Sequence, residues 1–155
     1  MIGIVVSRFG AEYTEGLLAG AKMLLAERNI PADQVRVFYA PGSFEIPLIA
    51  QTLAKSGPYK GVICLGAVIK GETAHFEFIS LGAAMGLQMA SLATGVPITF
   101  GILTTYTDEQ ARTRSRLGPE NAGHMNKGRE AAAACLDAIA TLESVHARSG
   151  TSNLS

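Results

Sequence analysis

The sequence predicts one three-layer α/β/α domain built on a four-stranded parallel sheet. Four short runs of apolar, largely β-branched residues recur along the 155-residue chain, and helical patterns separate them. Each run is nearly continuous in apolar residues, as expected where helices cover both faces of a parallel sheet. Regular alternation of strands and helices indicates right-handed crossovers and a flavodoxin-like architecture.

The strands are predicted from the apolar runs themselves, at residues 2–6, 35–40, 61–69 and 97–104. Helices are predicted where apolar residues recur every three or four positions. This spacing occurs at Leu17, Leu18, Ala21, Leu24 and Leu25, at Leu81, Ala84, Met85, Met89 and Leu92, and at Ala132, Cys135, Leu136, Ile139 and Leu142. A single domain is expected over residues 1–147, and the small, polar residues 148–155 are expected to form a disordered tail.

Another helix is predicted to begin after Thr107, because Thr107 and Gln110 have the spacing of a capping box. Three arginines follow in this helix. At about 100° per residue, Arg112 and Arg116 share one face while Arg114 points away from them. Arg114 is therefore the arginine expected on the inward side.

Composition argues against several classes of function. Charged residues make up only 17% of the chain and hydrophobic residues 48%, which predicts an oligomer that buries further apolar surface. Thirteen basic and thirteen acidic residues cancel, so no electrostatic footprint for nucleic acid or an anionic membrane is expected.

The apolar run after Met1 is too short for a signal peptide or a membrane span, and a cytoplasmic location is expected. Cys64 and Cys135 are expected to be reduced core residues, and no metal site is expected.

Candidate functional residues follow the carboxyl ends of the strands, where open parallel sheets bind ligands. Residues 71–73 connect the third strand to a long helix, whose free N–H groups and positive end favour an anion that Arg114 could enclose. An equally good interpretation makes Thr73 only a helix cap. The sequence has neither a Gly-x-Gly-x-x-Gly fingerprint nor a P-loop motif, so a nucleotide is not implied.

Four side chains near these strand ends have two interpretations each. His75 lies in the first turn of the long helix, and a lone histidine is more often structural than catalytic. A position beside an anion site nevertheless suits imidazole to proton transfer. Phe9 and Phe100 are either core residues or stacking faces for a planar ligand. Glu45 lies between apolar residues and either caps the next helix or binds hydroxyls and amines.

Six motifs, taken in order, resemble those of the lumazine synthase family, the 6,7-dimethyl-8-ribityllumazine synthases. They read SRF (7–9), PGSFEIP (41–47), GAVIKGETAHF (66–76), PITFGILT (97–104), EQA (109–111) with Arg114, and NKG (126–128) with EAA (130–132). Each motif is weak alone, whereas the ordered set, which covers roughly residues 2–145, is specific.

The resemblance implies a cofactor-free transferase of riboflavin synthesis. It would condense 5-amino-6-(D-ribitylamino)uracil with 3,4-dihydroxy-2-butanone 4-phosphate to give 6,7-dimethyl-8-ribityllumazine, phosphate and water. Imine formation, phosphate elimination and ring closure are proton transfers on held reactants, so proximity is expected to supply much of the rate. A non-catalytic lumazine- or flavin-binding protein and an FMN carrier of the same fold are the alternatives.

The resemblance also implies roles for individual residues. His75 would be the catalytic proton shuttle. The substrate-binding positions would be Phe9, Ser43, Phe44, Glu45, Val68, Ile69, Glu72, Thr73, Phe100, Arg114 and Lys127. Among these, the amides of Glu72 and Thr73 would hold the phosphate with Arg114, while Phe100 and Lys127 would come from the adjacent subunit of a homopentamer.

The chain departs from the family pattern in three places. Gly10 replaces the usual asparagine, and the N-terminal extension of many members is absent. The segment 115–125 is longer than the short kink of shell-forming members and contains Pro119. A longer loop is expected to obstruct contacts between pentamers, so a pentamer or decamer is favoured over an icosahedral shell.

Overall fold

The computed structural model describes residues 1–118 and 126–151, and it confirms the three-layer α/β/α fold. The strands are β1 (Ile2–Ser7), β2 (Val35–Ala40), β3 (Gly61–Ile69) and β4 (Ile98–Thr105), all parallel and in the order β2-β1-β3-β4. The helices are α1 (Ala11–Glu27), α2 (Ile46–Lys55), α3 (His75–Thr94), α4 (Asp108–Ser115) and α5 (Lys127–Thr151). Single 3-10 turns occur at Ala32–Gln34 and Ser43–Glu45.

The central strands are buried because each face of the sheet packs against helices. Ile4 of β1 and Ile63 of β3 lie in one core cluster with α1 and α5. Their neighbours Val5 and Val62 point to the opposite face and lie in a second cluster with α2 and α3. Since side chains alternate along a strand, two apolar layers require the unbroken apolar runs seen in the sequence.

The two cysteines are confirmed as free core residues, one in each cluster. Desolvation by burial raises the pKa of the Cys64 thiol well above its usual range, and the nearby Cys135 adds to that effect. Burial also raises the pKa of Cys135 to about 12. Both thiols are therefore held in the protonated, unreactive form.

Helix α4 begins as predicted but ends earlier than its arginine pattern suggests. Thr107 Oγ1 accepts a hydrogen bond from the Gln110 amide at 3.2 Å, as in a capping box, and Gln110 Oε1 accepts from the amide of Tyr106 at 2.9 Å. The helix stops at Ser115, and Arg116 is extended, with φ −75° and ψ 151°. The prediction that Arg116 shares a helical face with Arg112 is therefore wrong, because helical geometry no longer applies there.

At the other end of the chain, α5 runs to Thr151, so Arg148 lies within a helix. The rest of the predicted tail, residues 152–155, lies outside the described residues, as do residues 119–125 of the long loop.

Candidate active site

A cavity of about 720 Å³ opens at the carboxyl ends of β1, β2 and β3. It is called the first cavity here. Eight of the twelve predicted site residues line it: Phe9, Ser43, Phe44, Glu45, Val68, Ile69, Thr73 and His75. Three strand ends meet at this edge because the sheet is parallel, which is why residues far apart in sequence share one cavity.

The backbone beyond β1 presents the Phe9 ring to the first cavity. The amides of Arg8 and Phe9 donate to the carbonyls of Ala40 and Pro41 at 2.8 and 3.1 Å, which continues the β1–β2 pairing past the strand. The Phe9 side chain is left 77% exposed. Gly10 follows with a left-handed backbone, φ 76°, at the start of α1. Asparagine is the other residue that adopts this conformation readily, so the departure at Gly10 preserves the turn.

Two glycines shape the wall formed by Ser43 and Phe44. A Cβ at Gly66 of β3 would lie 2.5 Å from Ser43 Oγ, so glycine there lets the buried Ser43 approach the strand. A Cβ at Gly82 of α3 would lie 2.9 Å from the Phe44 ring. The ring is held against α3 by this close approach and remains 57% exposed.

Glu45 does not cap the helix that follows it. The residue stands at the start of α2, but its side chain makes no capping hydrogen bond. Among the described residues its carboxylate accepts no hydrogen bond at all, and it lies on the cavity wall. The geometry favours the ligand-binding interpretation over the capping one.

The start of α3 retains features of both interpretations of Thr73. Thr73 Oγ1 accepts a long hydrogen bond of 3.4 Å from the amide of His75. The amides of Glu72 and Thr73 themselves donate to no acceptor within residues 1–118 and 126–151. They are therefore available to an anion at the positive end of a 20-residue helix. The exposed His75 imidazole likewise has no partner among the described residues.

A second cavity, of about 430 Å³, lies along β4, the edge strand of the sheet. Phe100, Arg114 and Lys127 line it, together with Tyr106 and Gln110. The Arg114 side chain is half-buried, and within the described residues its Nη1 donates only to the Gln110 carbonyl one turn back, at 3.3 Å. Lys127 Nζ pairs with Glu130 at 2.6 Å. Two cations and a 45% exposed phenyl ring therefore face one space.

Aromatic side chains separate the two cavities. Phe76 lines the first cavity and Tyr106 the second, and their ring centroids are 6.1 Å apart. Lys70 Nζ lies 5.5 Å from the centre of the Tyr106 ring and forms an ion pair with Glu77 at 3.8 Å. Arg114 thus lines the second cavity and not the cavity that contains Thr73. The twelfth predicted residue, Glu72, lines neither cavity with its side chain.

Sequence reasoning missed Tyr106, which directly follows β4 as the other candidates follow their strands. It also missed the contacts that hold α4 against α1. Within the described residues, no group of histidine, cysteine, aspartate or glutamate side chains could hold a metal ion.

The fold and the first cavity are those of an α/β protein with a candidate ligand site at the carboxyl ends of a parallel sheet. The sequence model of the 6,7-dimethyl-8-ribityllumazine synthase family matches residues 1–143. The chain belongs to this family.

Curated relatives support the same conclusion over most of the chain. It is 58% identical over 144 residues to 6,7-dimethyl-8-ribityllumazine synthase 1 of Caulobacter vibrioides, covering 93% of this chain and 91% of the relative. The enzyme of Salinibacter ruber is 49% identical, covering 90% of this chain and 85% of its own length. That of Protochlamydia amoebophila is 41% identical, covering 98% and 88%.

The family match and these relatives confirm the predicted activity. The protein is a transferase of riboflavin synthesis that forms 6,7-dimethyl-8-ribityllumazine. Neither the fold nor the comparisons favour the non-catalytic alternative.

Proposed function

We propose that each active site forms between two copies of the chain, with the first cavity of one subunit facing the second cavity of the next. There, 5-amino-6-(D-ribitylamino)uracil condenses with 3,4-dihydroxy-2-butanone 4-phosphate. The observation that carries this proposal is the division of the site residues. His75 and the pyrimidine-binding candidates lie in one cavity, whereas both candidate phosphate-binding cations lie in another.

The first cavity suits a flat, polar heterocycle. Phe9 offers a stacking face, and Glu45 offers amine or hydroxyl donors a carboxylate that accepts no hydrogen bond from the described part of the chain. The end of β3 adds backbone groups, because the β1–β3 pairing stops at Leu65 while β3 continues to Ile69. On the side of β1, the last residues of β3 therefore have polar groups free to bind the pyrimidine edge, and Ile69 is among them. The backbone of Val68 faces β4 instead, because backbone directions alternate along a strand and the amide of Lys70, two residues on, bonds the Thr105 carbonyl of β4.

The phosphate of the ketone would lie between the two cavities. The free amides of Glu72 and Thr73 would hold it from one subunit, and Arg114 and Lys127 from the next. A helix start and two cations are complementary to a phosphate dianion, and guanidinium adds paired donors. This arrangement differs from the sequence prediction in one respect, since Arg114 now belongs to the neighbouring subunit together with Phe100 and Lys127.

His75 would move protons between the reacting groups. The amine of the pyrimidine adds to the ketone carbonyl, and water leaves to form an imine. Loss of a carbon-bound proton then expels phosphate with the electron pair of its C–O bond, and the resulting enol takes up a proton to become a ketone. The second nitrogen adds to this ketone, and a second water leaves as the ring closes. An imidazole without other partners can accept and return these protons, while the two binding surfaces hold the reactants together.

An apolar stripe on α3 supports the association of copies. Its five side chains lie on one face of the helix and are 55–76% exposed: Phe78, Leu81, Met85, Met89 and Leu92. Because of this stripe, α3 is the one helix within the described residues that is long and apolar enough to cross a membrane. Its opposite face, with Ala83, Leu87 and Ala90, packs into the core beneath α2 and the sheet. The core therefore covers one face of α3, and further copies in a cytoplasmic pentamer or decamer would bury the stripe on the other face.

Subunit mixing tests the shared site. His75→Ala and Arg114→Ala each damage one half of every site in a homo-oligomer. When the two variants are unfolded together and reassembled at equal amounts, about one quarter of the sites combine an intact half from each neighbour, as expected for random placement around a closed ring. Turnover should rise well above that of either variant alone.

The matched control mixes His75→Ala with Phe9→Ala, two changes in the same cavity. No site in these mixed oligomers is intact, so turnover should not recover. Mass spectrometry of the intact assemblies establishes that mixing has occurred. If mixed oligomers of His75→Ala and Arg114→Ala were as inactive as each variant alone, the shared site would be contradicted.

A further inference from the structure

A buried asparagine joins the two elements that carry the cations of the second cavity. The side chain of Asn126 is fully buried. Its Nδ2 donates to the carbonyls of Ser115 at 2.7 Å and Gly16 at 3.0 Å, and more weakly to that of Arg116 at 3.5 Å. The two N–H bonds of the amide are thereby directed at the end of α4 and the middle of α1.

The oxygen of the same amide caps α5. Asn126 Oδ1 accepts hydrogen bonds from the amides of Gly128 at 2.9 Å and Arg129 at 3.2 Å. Asparagine is among the best helix caps, because its oxygen satisfies amides that lack a partner within the helix. Because Nδ2 faces carbonyls and Oδ1 faces amides, the orientation of the Asn126 side-chain amide is fixed.

Glycines let the three helices approach this amide closely. A Cβ at Gly20 of α1 would collide with the Asn126 amide, and one at Gly16 would collide with the Ser115 carbonyl. A Cβ at Gly128 would collide with the carbonyl of Leu17. The end of α4, the middle of α1 and the start of α5 are therefore in backbone contact around one side chain.

We propose that Asn126 is a positioning residue, which sets Arg114 and Lys127 at the separation that binds the phosphate of the ketone. Arg114 immediately precedes Ser115, and Lys127 immediately follows Asn126, so the Nδ2 bond to Ser115 connects the two cations through a short path. This inference rests on the proposed role of the second cavity. It adds a residue that touches no substrate.

The helix cap and the bridge to α4 can be separated by substitution. In Asn126→Ser, a hydroxyl still caps α5, because serine is also a favoured cap, but it is too short to reach the Ser115 carbonyl. The KM for the phosphorylated ketone should rise about tenfold, below the roughly hundredfold that a 1 Å misplacement can produce. The KM for the aminopyrimidine should change by less than about twofold, because its cavity contains none of these contacts.

The matched control is Ser115→Ala. This change removes only the hydroxyl, which bonds the Arg112 carbonyl at 3.4 Å, and keeps the carbonyl that Asn126 contacts. Both KM values should stay near those of the wild type. If Asn126→Ser does not assemble, the two KM values are measured on Asn126→Thr, which retains a capping hydroxyl and has a larger side chain.

A double substitution distinguishes positioning from general stability. If Asn126 acts through Arg114, then Asn126→Ser added to Arg114→Ala should raise the ketone KM no further. Three results would overturn the inference. The first is an equal rise in both KM values, and the second is a ketone KM in the double variant that is raised by the product of the two single effects. The third is failure of both Asn126 variants to assemble. An unchanged ketone KM in Asn126→Ser while Arg114→Ala raises it would overturn this inference alone. If Arg114→Ala itself leaves the ketone KM unchanged, the phosphate site of the proposed function is wrong as well.

Discussion

The Tyr13 hydroxyl donates a hydrogen bond to Oδ1 of Asp108, which joins the first turn of α1 to the first turn of α4. Arg112, one turn further along α4, lies 5.7 Å from the centre of the Tyr13 ring and forms an ion pair with Glu12 at 3.4 Å. The helix that carries Arg114 is thus tied to α1 at its start, while Asn126 ties it at its end.

This contact predicts an unusual tyrosine titration. The hydrogen bond to Asp108 is the main cause that raises the pKa of Tyr13 from 10.0 to about 12, and desolvation adds to it. Because the folded state favours the neutral phenol, the contact stabilises the protein fully below pH 10.0, and this stabilisation is lost as the pH rises through about 12. Absorbance of tyrosinate should show one of the four tyrosines ionising late.

Tyr13→Phe should remove the late step and flatten the loss of stability over the same pH range. Tyr39→Phe is the control, and it should leave the late step in place. Ionisation of all the tyrosines together near the ordinary value would show that the Tyr13–Asp108 bond does not form.

His75→Ala should lower kcat by about ten- to a thousandfold, a range at or below the usual contribution of general acid–base catalysis. The imidazole is exposed at the first cavity, so its removal should leave folding intact. Some turnover should survive, because the binding surfaces still hold the reactants together. His146→Ala, which changes a histidine near the end of α5, is the control. An unchanged kcat in an assembled His75 variant would exclude it from the mechanism.

Arg114→Ala should weaken binding of the phosphorylated ketone much more than binding of the aminopyrimidine. Loss of a charge-assisted contact costs about 1.5–3 kcal/mol, which corresponds to roughly a ten- to 150-fold rise in Kd. Isothermal titration of each substrate separately measures the two effects.

Arg112→Ala is the matched control for that experiment. Its guanidinium points to α1 and pairs with Glu12 on the exposed surface, away from the second cavity. Exposed pairs of this kind contribute little, so ketone binding should be nearly unchanged. Equal binding by the Arg112 and Arg114 variants would show that the phosphate site has been misplaced.

The sequence predicted the strands to within about one residue at each end, because strands buried on both faces need unbroken apolar runs. Eight of the predicted site residues also meet at one edge of the sheet, since parallel topology alone brings strand ends together. Helix α2 was implied only by the helix start after Glu45, since none of the periodic apolar patterns includes it. The fold is thus predictable where the hydrophobic pattern is strong.

Packing between distant segments was not predictable from local patterns. Helical periodicity indicates which side of α4 carries Arg114, but it does not indicate which side of the sheet α4 occupies. Tyr13 and Asp108 are 95 residues apart, and the Asn126 amide is satisfied by three segments of backbone. Such contacts depend on the completed fold, and no spacing rule in the sequence signals them.

The apolar stripe of α3 is expected to hold copies of the chain together. Met85 lies at its centre and is 55% exposed, so Met85→Glu would place a carboxylate in the proposed contact between copies. Burial of an unpaired charge costs roughly several kcal/mol, and this cost should dissociate the assembly. Light scattering should then show monomers in place of the five or ten subunits expected of the wild type, and turnover should fall to near zero because the proposed site needs two copies. Met23→Glu is the control, since this methionine is 44% exposed on α1, outside the stripe. A monomeric wild type with full turnover would contradict the shared site, and a mass near that of an icosahedral shell would contradict the expectation drawn from the 115–125 loop.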